Sequence, residues 1–350
     1  MKYWNTKLKE MTEYIPGEQP GGGGGIIKLN TNENPFPASQ RVLDRIKEAC
    51  NQSLRLYPNS TSLSLRKIFA KDNNIDSDNI FVGNGSDEIF TLIFRAFIEN
   101  NGVVAFSYPS YSLYYTMAEA NGIKYKKINL DKDFNVDLDA FLSKNYDLVI
   151  LCNPNNPTGK GCDVDDIRRF LDKYKGLLIV DEAYVDFYGE TSIEMVKEFD
   201  NIIVTRSFSK SYSLAGLRVG LAIAQKDIIR GFLKIKDSYN VDRLAEAGAC
   251  AALLDKKGLK YNIDMMKNNK EFLEEKIEAL GFQVVPSKAN FLFVKHSHVQ
   301  AVEIYKKLRE KKILVRYFDG PIQSEYLRIS IGSMMELKTL INGLSSILKD

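Results

Sequence analysis

The stretch "GLLIVDEAY", residues 176–184, sets four consecutive apolar residues directly in front of a carboxylate, Asp181. An unbroken apolar run of this length, unlike an alternating one, suits a strand covered on both faces. Similar runs recur in "NIFVG" (79–83), "GVVAFS" (102–107), "DLVILC" (147–152), "NIIVTRS" (201–207) and "RVGLAIA" (218–224). Helical patterns stand between several of them, as in "SDEIFTLIFRAFIEN" (86–100), "YSLYYTMAEANG" (111–122) and "DVDDIRRFLDKYKG" (163–176). Buried strands separated by helices predict an α/β architecture around a mostly parallel sheet.

The remainder reads differently. Residues 242–258 and 261–281 read as helices, "ANFLFVK" (289–295), "ILVRYF" (313–318) and "EYLRISIG" (325–332) as strands, and residues 301–312 and 335–350 as helices. We expect a large α/β domain over residues 30–245. A smaller α+β domain is expected from residues 246–350 together with an N-terminal arm, residues 1–29. The run "PGGGGG" (20–25) reads as a flexible loop.

Bulk composition narrows the function. The chain has 350 residues, with 48 basic and 45 acidic side chains and a net charge of +3. The charges are scattered, so nothing argues for nucleic acid. No apolar run approaches the ~18 residues of a membrane span, and "MKYWNTKLKEM" has no signal-peptide core. Cys50, Cys152, Cys162 and Cys250 form no CxxC pair, so neither a metal site nor a disulfide framework is expected. These features point to a cytoplasmic protein. The two histidines, His296 and His298, both fall in "VKHSHVQ" (294–300), a polar strand-to-helix turn. The chemistry is therefore expected to use a group other than histidine.

Ligands of open α/β sheets collect beyond the carboxyl ends of the strands, and several unusual residues fall there. In "FVGNGSDEIF" (81–90) a glycine-rich turn precedes a helix, where free amides can hold a phosphate. The ordinary alternative is a plain turn with Ser86 or Asp87 as N-cap. "LCNPNNPTGKG" (151–161) makes a sharp loop that offers the amides of Asn153, Asn155 and Asn156. Asp181 is either an N-cap or a carboxylate facing a protonated ring nitrogen, and Tyr184 can aim its hydroxyl at the same ligand. In "SFSKSYSLAGLRVG" (207–220), Lys210 is either a loop lysine or an amine able to form an imine with an aldehyde. Arg218 offers the planar fork that a phosphate favours, and Ser207 adds a hydroxyl.

Taken in order, "NPNNPTG", "DEAY", "SFSK" with an arginine eight residues after the lysine, and "LRISIG" resemble a fold-type I aminotransferase dependent on pyridoxal 5′-phosphate (PLP). Within that superfamily the chain is most similar to the histidinol-phosphate aminotransferases. The matching segments are "YIPGEQP" (14–20), "IKLNTNENPFP" (27–37), "LYPNS" (56–60), "GNGSDE" (83–88), "YNVDRLAEA" (239–247), "ANFLF" (289–293) and "LVRYF" (314–318). The match spans roughly residues 14–332.

The resemblance implies a mixed, mostly parallel sheet flanked by helices, with a smaller domain. It implies transamination between L-histidinol phosphate and 2-oxoglutarate in histidine biosynthesis. Lys210 would hold PLP covalently and then move a proton between substrate Cα and cofactor C4′. Asp181 would pair with the ring nitrogen, and Asn156 and Tyr184 would bond the 3′-oxygen. Tyr111 would stack on the ring, with Tyr108, Tyr114 and Tyr115 as neighbouring alternatives. Ser86, the Asp87 N–H, Ser207 and Arg218 would cradle the phosphate, joined by Tyr57 from the second subunit of a homodimer. Arg328, Arg316 and Tyr14 would grip the substrate, with Asn30, Glu33 and Asn34 near the entrance. Serine at 211 stands where alanine is common in the family. An aromatic amino-acid aminotransferase or a phospho-amino-acid decarboxylase would use the same cofactor. A non-catalytic sensor would normally need a DNA-binding domain, for which the region before residue 30 leaves no room.

Overall fold

A computed structural model of the chain describes residues 3–4, 8–9, 11, 14–20, 25–99 and 101–349. Glycines 21–24 of the expected flexible loop lie outside the described residues.

The strands of the first two thirds are β1 (Ile27–Lys28), β2 (Ile80–Asn84), β3 (Val103–Tyr108), β4 (Lys124–Asn129), β5 (Leu148–Cys152), β6 (Leu177–Asp181), β7 (Ile202–Ser207) and β8 (Val219–Ala224). Seven of them make one sheet in the order β2-β8-β7-β6-β5-β3-β4. Strands β3 to β7 run parallel to their neighbours among themselves, and β8 runs antiparallel to both β7 and β2. The reversal has a simple cause: residues 208–218 hold only a short 3-10 turn, Ala215–Leu217, and a parallel crossover needs a longer connection.

Alternation within the apolar runs explains the layering. Val149 and Leu151 face one core, with Phe170 and the alanine-rich helix Arg243–Leu254; Leu148 and Ile150 face the other, with Phe90, Phe94 and Phe106. Each such side chain, fully buried, contributes about 1.5–3 kcal/mol. Strand β4, "KYKKIN", escapes the sequence reading because it lies at the sheet edge, where Lys124 and Lys126 stay in water and discourage pairing with other chains.

The rest adds β9 (Phe282–Val285), β10 (Phe291–His296), β11 (Ile313–Leu314), β12 (Arg316–Tyr317) and β13 (Leu327–Ser330). An antiparallel sheet in the order β12-β13-β10-β9 packs with the helices Lys256–Glu278, Ala301–Glu310 and Met334–Ile347. The strand expected over 313–318 is split in two at Val315, and β11 pairs in parallel with β1. Leu29 is thereby buried in the small core. We place the passage between the two cores after residue 254, because Ala245, Ala249 and Leu253 pack under the large sheet.

Candidate active site

Beyond the carboxyl ends of β5, β6 and β7 lies a cleft of about 480 Å³. Fourteen of the sixteen residues assigned to a site by sequence line it: Tyr14, Asn30, Glu33, Ser86, Asp87, Tyr111, Asn156, Asp181, Tyr184, Ser207, Lys210, Arg218, Arg316 and Arg328. Asn34 and Tyr57 do not.

Asp181 ends β6 and is buried. It is not a helix cap, because the following short helix, Val185–Tyr188, has Tyr184 at its N-cap position. Its carboxylate accepts from the Tyr114 hydroxyl at 2.5 Å and from Thr205 Oγ1 at 3.0 Å. Burial pushes its pKa up, and these hydroxyls with the Ala183 N–H pull it back only in part. A carboxylate so placed is completed by a cationic hydrogen-bond donor in the cleft.

Lys210 follows β7 in a loop fixed from several sides. The Ser209 N–H donates to Ser207 Oγ at 3.2 Å, and Asn34 Nδ2 donates to the carbonyls of Lys210 (3.1 Å) and Ser211 (3.2 Å). Asn34 therefore braces the lysine loop from behind instead of facing substrate. Lys210 Nζ donates to the Thr31 carbonyl at 3.2 Å and lies 5.8 Å from the Tyr184 ring centre. Burial, then the nearby Arg328 and Arg218 charges, lower its pKa to about 8, against the pull of Glu33 and Asp87. Acylation of Lys210 in the ligand-free protein should therefore rise with pH to half-maximum near about 8, since only the free base attacks. Peptide mapping across a pH series checks this; a midpoint near that of an ordinary lysine would contradict it.

The helix Gly85–Ala96 opens at Gly85, with Asn84 at the N-cap position, so Ser86 and Asp87 sit in the first turn and cap nothing. Asp87 engages through its side chain as well: Oδ2 lies 3.0 Å from Arg218 Nη2. Arg218 Nη1 reaches Ser209 Oγ at 3.4 Å, from a backbone held at φ 53°, a conformation uncommon outside glycine. Two glycines make room for this corner. A Cβ on Gly85 would stand 2.5 Å from Arg218 Nη2, and one on Gly220 would stand 2.6 Å from the Ser86 nitrogen. The result is a small, cationic cradle at a helix N-terminus.

Arg328 closes the opposite side. Its Nη1 donates to Asn156 Oδ1 and its Nη2 to the Asn30 carbonyl, both at 2.7 Å, while Nε is buried without a partner. Burial, with the neighbouring Arg316 charge, lowers its pKa to about 10. Arg316 donates to the carbonyls of Ile15 (3.0 Å) and Pro16 (3.3 Å), and the ring of Tyr14 meets Tyr111 edge-on at 6.4 Å. The arm segment 14–20 thus reaches the cleft. Tyr57 lies outside it, 76% exposed and stacked on Tyr239 at 4.3 Å.

Sequence reasoning missed several partners. Thr205 lies two residues before Ser207 on β7, so strand alternation alone puts both on one face and could have found it. Tyr114, weighed as a ring-stacking residue, instead holds Asp181. Asn32 donates to the Tyr184 hydroxyl at 3.0 Å and accepts from Ser330 Oγ at 2.9 Å. That link crosses between sequence ends, and no local pattern marks it.

Comparisons with known proteins agree with this geometry. Residues 24–344 match the family described as "Aminotransferase class I and II". A histidinol-phosphate aminotransferase of Clostridium botulinum (strain Okra / Type B1) is 40% identical over 351 residues, covering 99% of each chain. One of Clostridium beijerinckii is 40% identical over 353 residues, covering 100% of this chain and 98% of its own. The crystal structure of the Sinorhizobium meliloti histidinol-phosphate aminotransferase in complex with pyridoxal-5′-phosphate superposes with a TM-score of 0.92. It does so at 24% identity, over 100% of this chain and 98% of that one.

Proposed function

The chain belongs to the class I and II aminotransferases, in the histidinol-phosphate aminotransferase group, and from that premise we propose that it interconverts L-histidinol phosphate and 2-oxoglutarate with imidazole-acetol phosphate and L-glutamate, using PLP, in histidine biosynthesis. The observation that carries the reading is one cleft holding a half-buried amine, Lys210, a buried carboxylate, Asp181, and the Arg218 cradle.

These residues fit PLP by their chemistry. Asp181 lacks a cationic partner that a pyridinium N–H supplies. The corner kept open by Gly85 and Gly220 suits a phosphate, and Lys210 is an amine with a lowered pKa near an aldehyde's place. Bound PLP supplies an electron sink for the pair left behind when a proton leaves substrate Cα. The chain's residues do the rest. Ser86, Asp87, Ser207, Ser209 and Arg218 hold the phosphate. Asp181 keeps the ring nitrogen protonated. Asn32 donates into the Tyr184 oxygen, which leaves the tyrosyl proton to bond the 3′-oxygen together with Asn156. Tyr111 covers the ring. Lys210 would move the proton between substrate Cα and cofactor C4′, and the burial that lowers its pKa to about 8 in the ligand-free protein favours the free base that such a role needs.

Arg328 and Arg316, with Tyr14, receive the anionic end of the substrate: the phosphate of histidinol phosphate in one half-reaction and the carboxylates of glutamate in the other. The unpartnered Nε of Arg328 is a donor available for this. The exposed Tyr57, with exposed Leu54 and Leu56 beside it, supports a two-fold dimer in which Tyr57 of the partner subunit reaches the cofactor phosphate. We assign the enzyme to the cytoplasm, consistent with its four free cysteines.

Adding histidinol phosphate to the purified, PLP-loaded protein should convert the pyridoxal absorbance band to the pyridoxamine band, and 2-oxoglutarate should restore it. A protein that takes up no PLP overturns the reading. A preference for phenylalanine over histidinol phosphate beyond about tenfold overturns the substrate assignment.

A further inference from the structure

Each cleft residue on β6, β7 and the segments that follow has a neighbour on the opposite side of the backbone. Glu182 follows Asp181, Asp186 lies two beyond Tyr184, Arg206 precedes Ser207, and Ser211 follows Lys210. Strand alternation turns Arg206 and Glu182 to the side opposite Ser207 and Asp181, and Asp186 of the short helix and Ser211 of the loop come to that same side. They meet behind the cleft. Arg206 Nη1 lies 3.3 Å from Glu182 Oε2 and 3.9 Å from Asp186 Oδ1, and the Ser211 hydroxyl donates to Asp186 Oδ2. Glu182 also accepts from Thr191 Oγ1 at 2.7 Å and from the Ser192 N–H. Ser211 is 1% exposed, and the Glu182 side chain is fully buried.

We propose that Ser211 is a positioning residue: its hydroxyl ties the Lys210 loop to Asp186, and through it to the short helix that begins at Tyr184, fixing the amine against the ring it must reach. The geometry favours this over a purely structural role. The bond joins the residue after Lys210 to a residue two beyond Tyr184, so it spans the two sides of the amine's approach. The half-buried Arg206 pairs with Asp186 and with the fully buried Glu182, and this holds the acceptor end still, because moving Arg206 away would leave the Glu182 charge uncompensated. Asn34 fixes the carbonyls of Lys210 and Ser211, and Asp186 takes the Ser211 hydroxyl.

This inference rests on Lys210 as the amine that takes PLP, and its test separates the two. The apo-protein is mixed with PLP, and formation of the visible band is timed as the amine nitrogen bonds to the aldehyde carbon and one water leaves. Affinity for 4′-deoxypyridoxine 5′-phosphate, which has no aldehyde, is measured in parallel. In Ser211→Ala the joining rate and kcat should each fall about tenfold, as for a misplacement under an ångström. KM and the affinity for the aldehyde-free analogue should stay within about twofold. Asp186→Ala should match it, and the double variant should be no slower than either single one. If Ser211→Ala joins PLP at the wild-type rate, or loses analogue affinity by the same factor as the joining rate, or the two single losses multiply, the positioning role is wrong. A wild type that joins no PLP would instead remove the functional assignment itself.

Discussion

Lys210→Ala is expected to lower transamination by about 10⁴-fold or more, because one side chain serves both as covalent anchor and as proton carrier. The loss should not come from unfolding. Burial lowers the Lys210 pKa to about 8 in the folded, ligand-free protein, against 10.5 for an ordinary lysine. Between those values the unfolded chain binds the extra proton, so stability rises with pH across that window and the amine is a liability below it. Removing it should leave the ligand-free thermal midpoint at pH 7 no lower than wild type. The phosphate cradle of Ser86, Ser207 and Arg218 does not involve the amine, so the variant should still bind PLP, released on gel filtration in denaturant without a covalent tag. Borohydride reduction of the wild type, followed by peptide mapping, should put the tag on Lys210; recovery on any other lysine would refute the assignment.

Asp181→Asn should be the second most damaging change, lowering kcat by about 10²–10³-fold, the usual cost of losing one preorganised electrostatic contact. The substitution keeps the volume of the side chain. Its amide oxygen can still accept from Thr205, which donates to Oδ1 now, and the amide nitrogen that replaces Oδ2 can donate to the Tyr114 hydroxyl oxygen once that hydroxyl turns. What disappears is the negative charge that keeps the ring nitrogen protonated. The effect should therefore appear in kcat and not in folding, with the secondary structure and thermal midpoint close to wild type. An Asp181→Asn protein with full kcat would mean that the carboxylate is not the counter-ion.

Much of this was legible because it is local. The apolar runs before Asp181 and Ser207 declare buried parallel strands, and their last residues fall at the sheet end where ligands collect. Lys210 and Arg218 share one segment, and the glycines around residue 85 announce a helix start. The β8 reversal was not read, although the short connector before it excludes a crossover. β4 was missed because this edge strand keeps Lys124 and Lys126 in water and loses the apolar signature. The Asn32–Tyr184–Ser330 link and the bracing of Lys210 by Asn34 join residues remote in sequence, so no spacing encodes them. Asn34 is placed near the entrance by the resemblance alone; in the structure its Oδ1 accepts from the Phe36 N–H while its Nδ2 donates to the lysine loop. The alanine-rich helix Arg243–Leu254 carries no mark of which sheet it covers, so its place in the large core is not readable from its own sequence.

The two-sided use of β6 and β7 restricts how this gene can change in length. A one-codon insertion or deletion inside β6 (Leu177–Asp181) or β7 (Ile202–Ser207) would exchange the two faces of that strand past the change, sending Asp181 or Ser207 toward the layer of Glu182 and Arg206. Length variation among descendants of this sequence should be absent from those two strands and should gather instead in exposed connectors such as Ser143–Asn145.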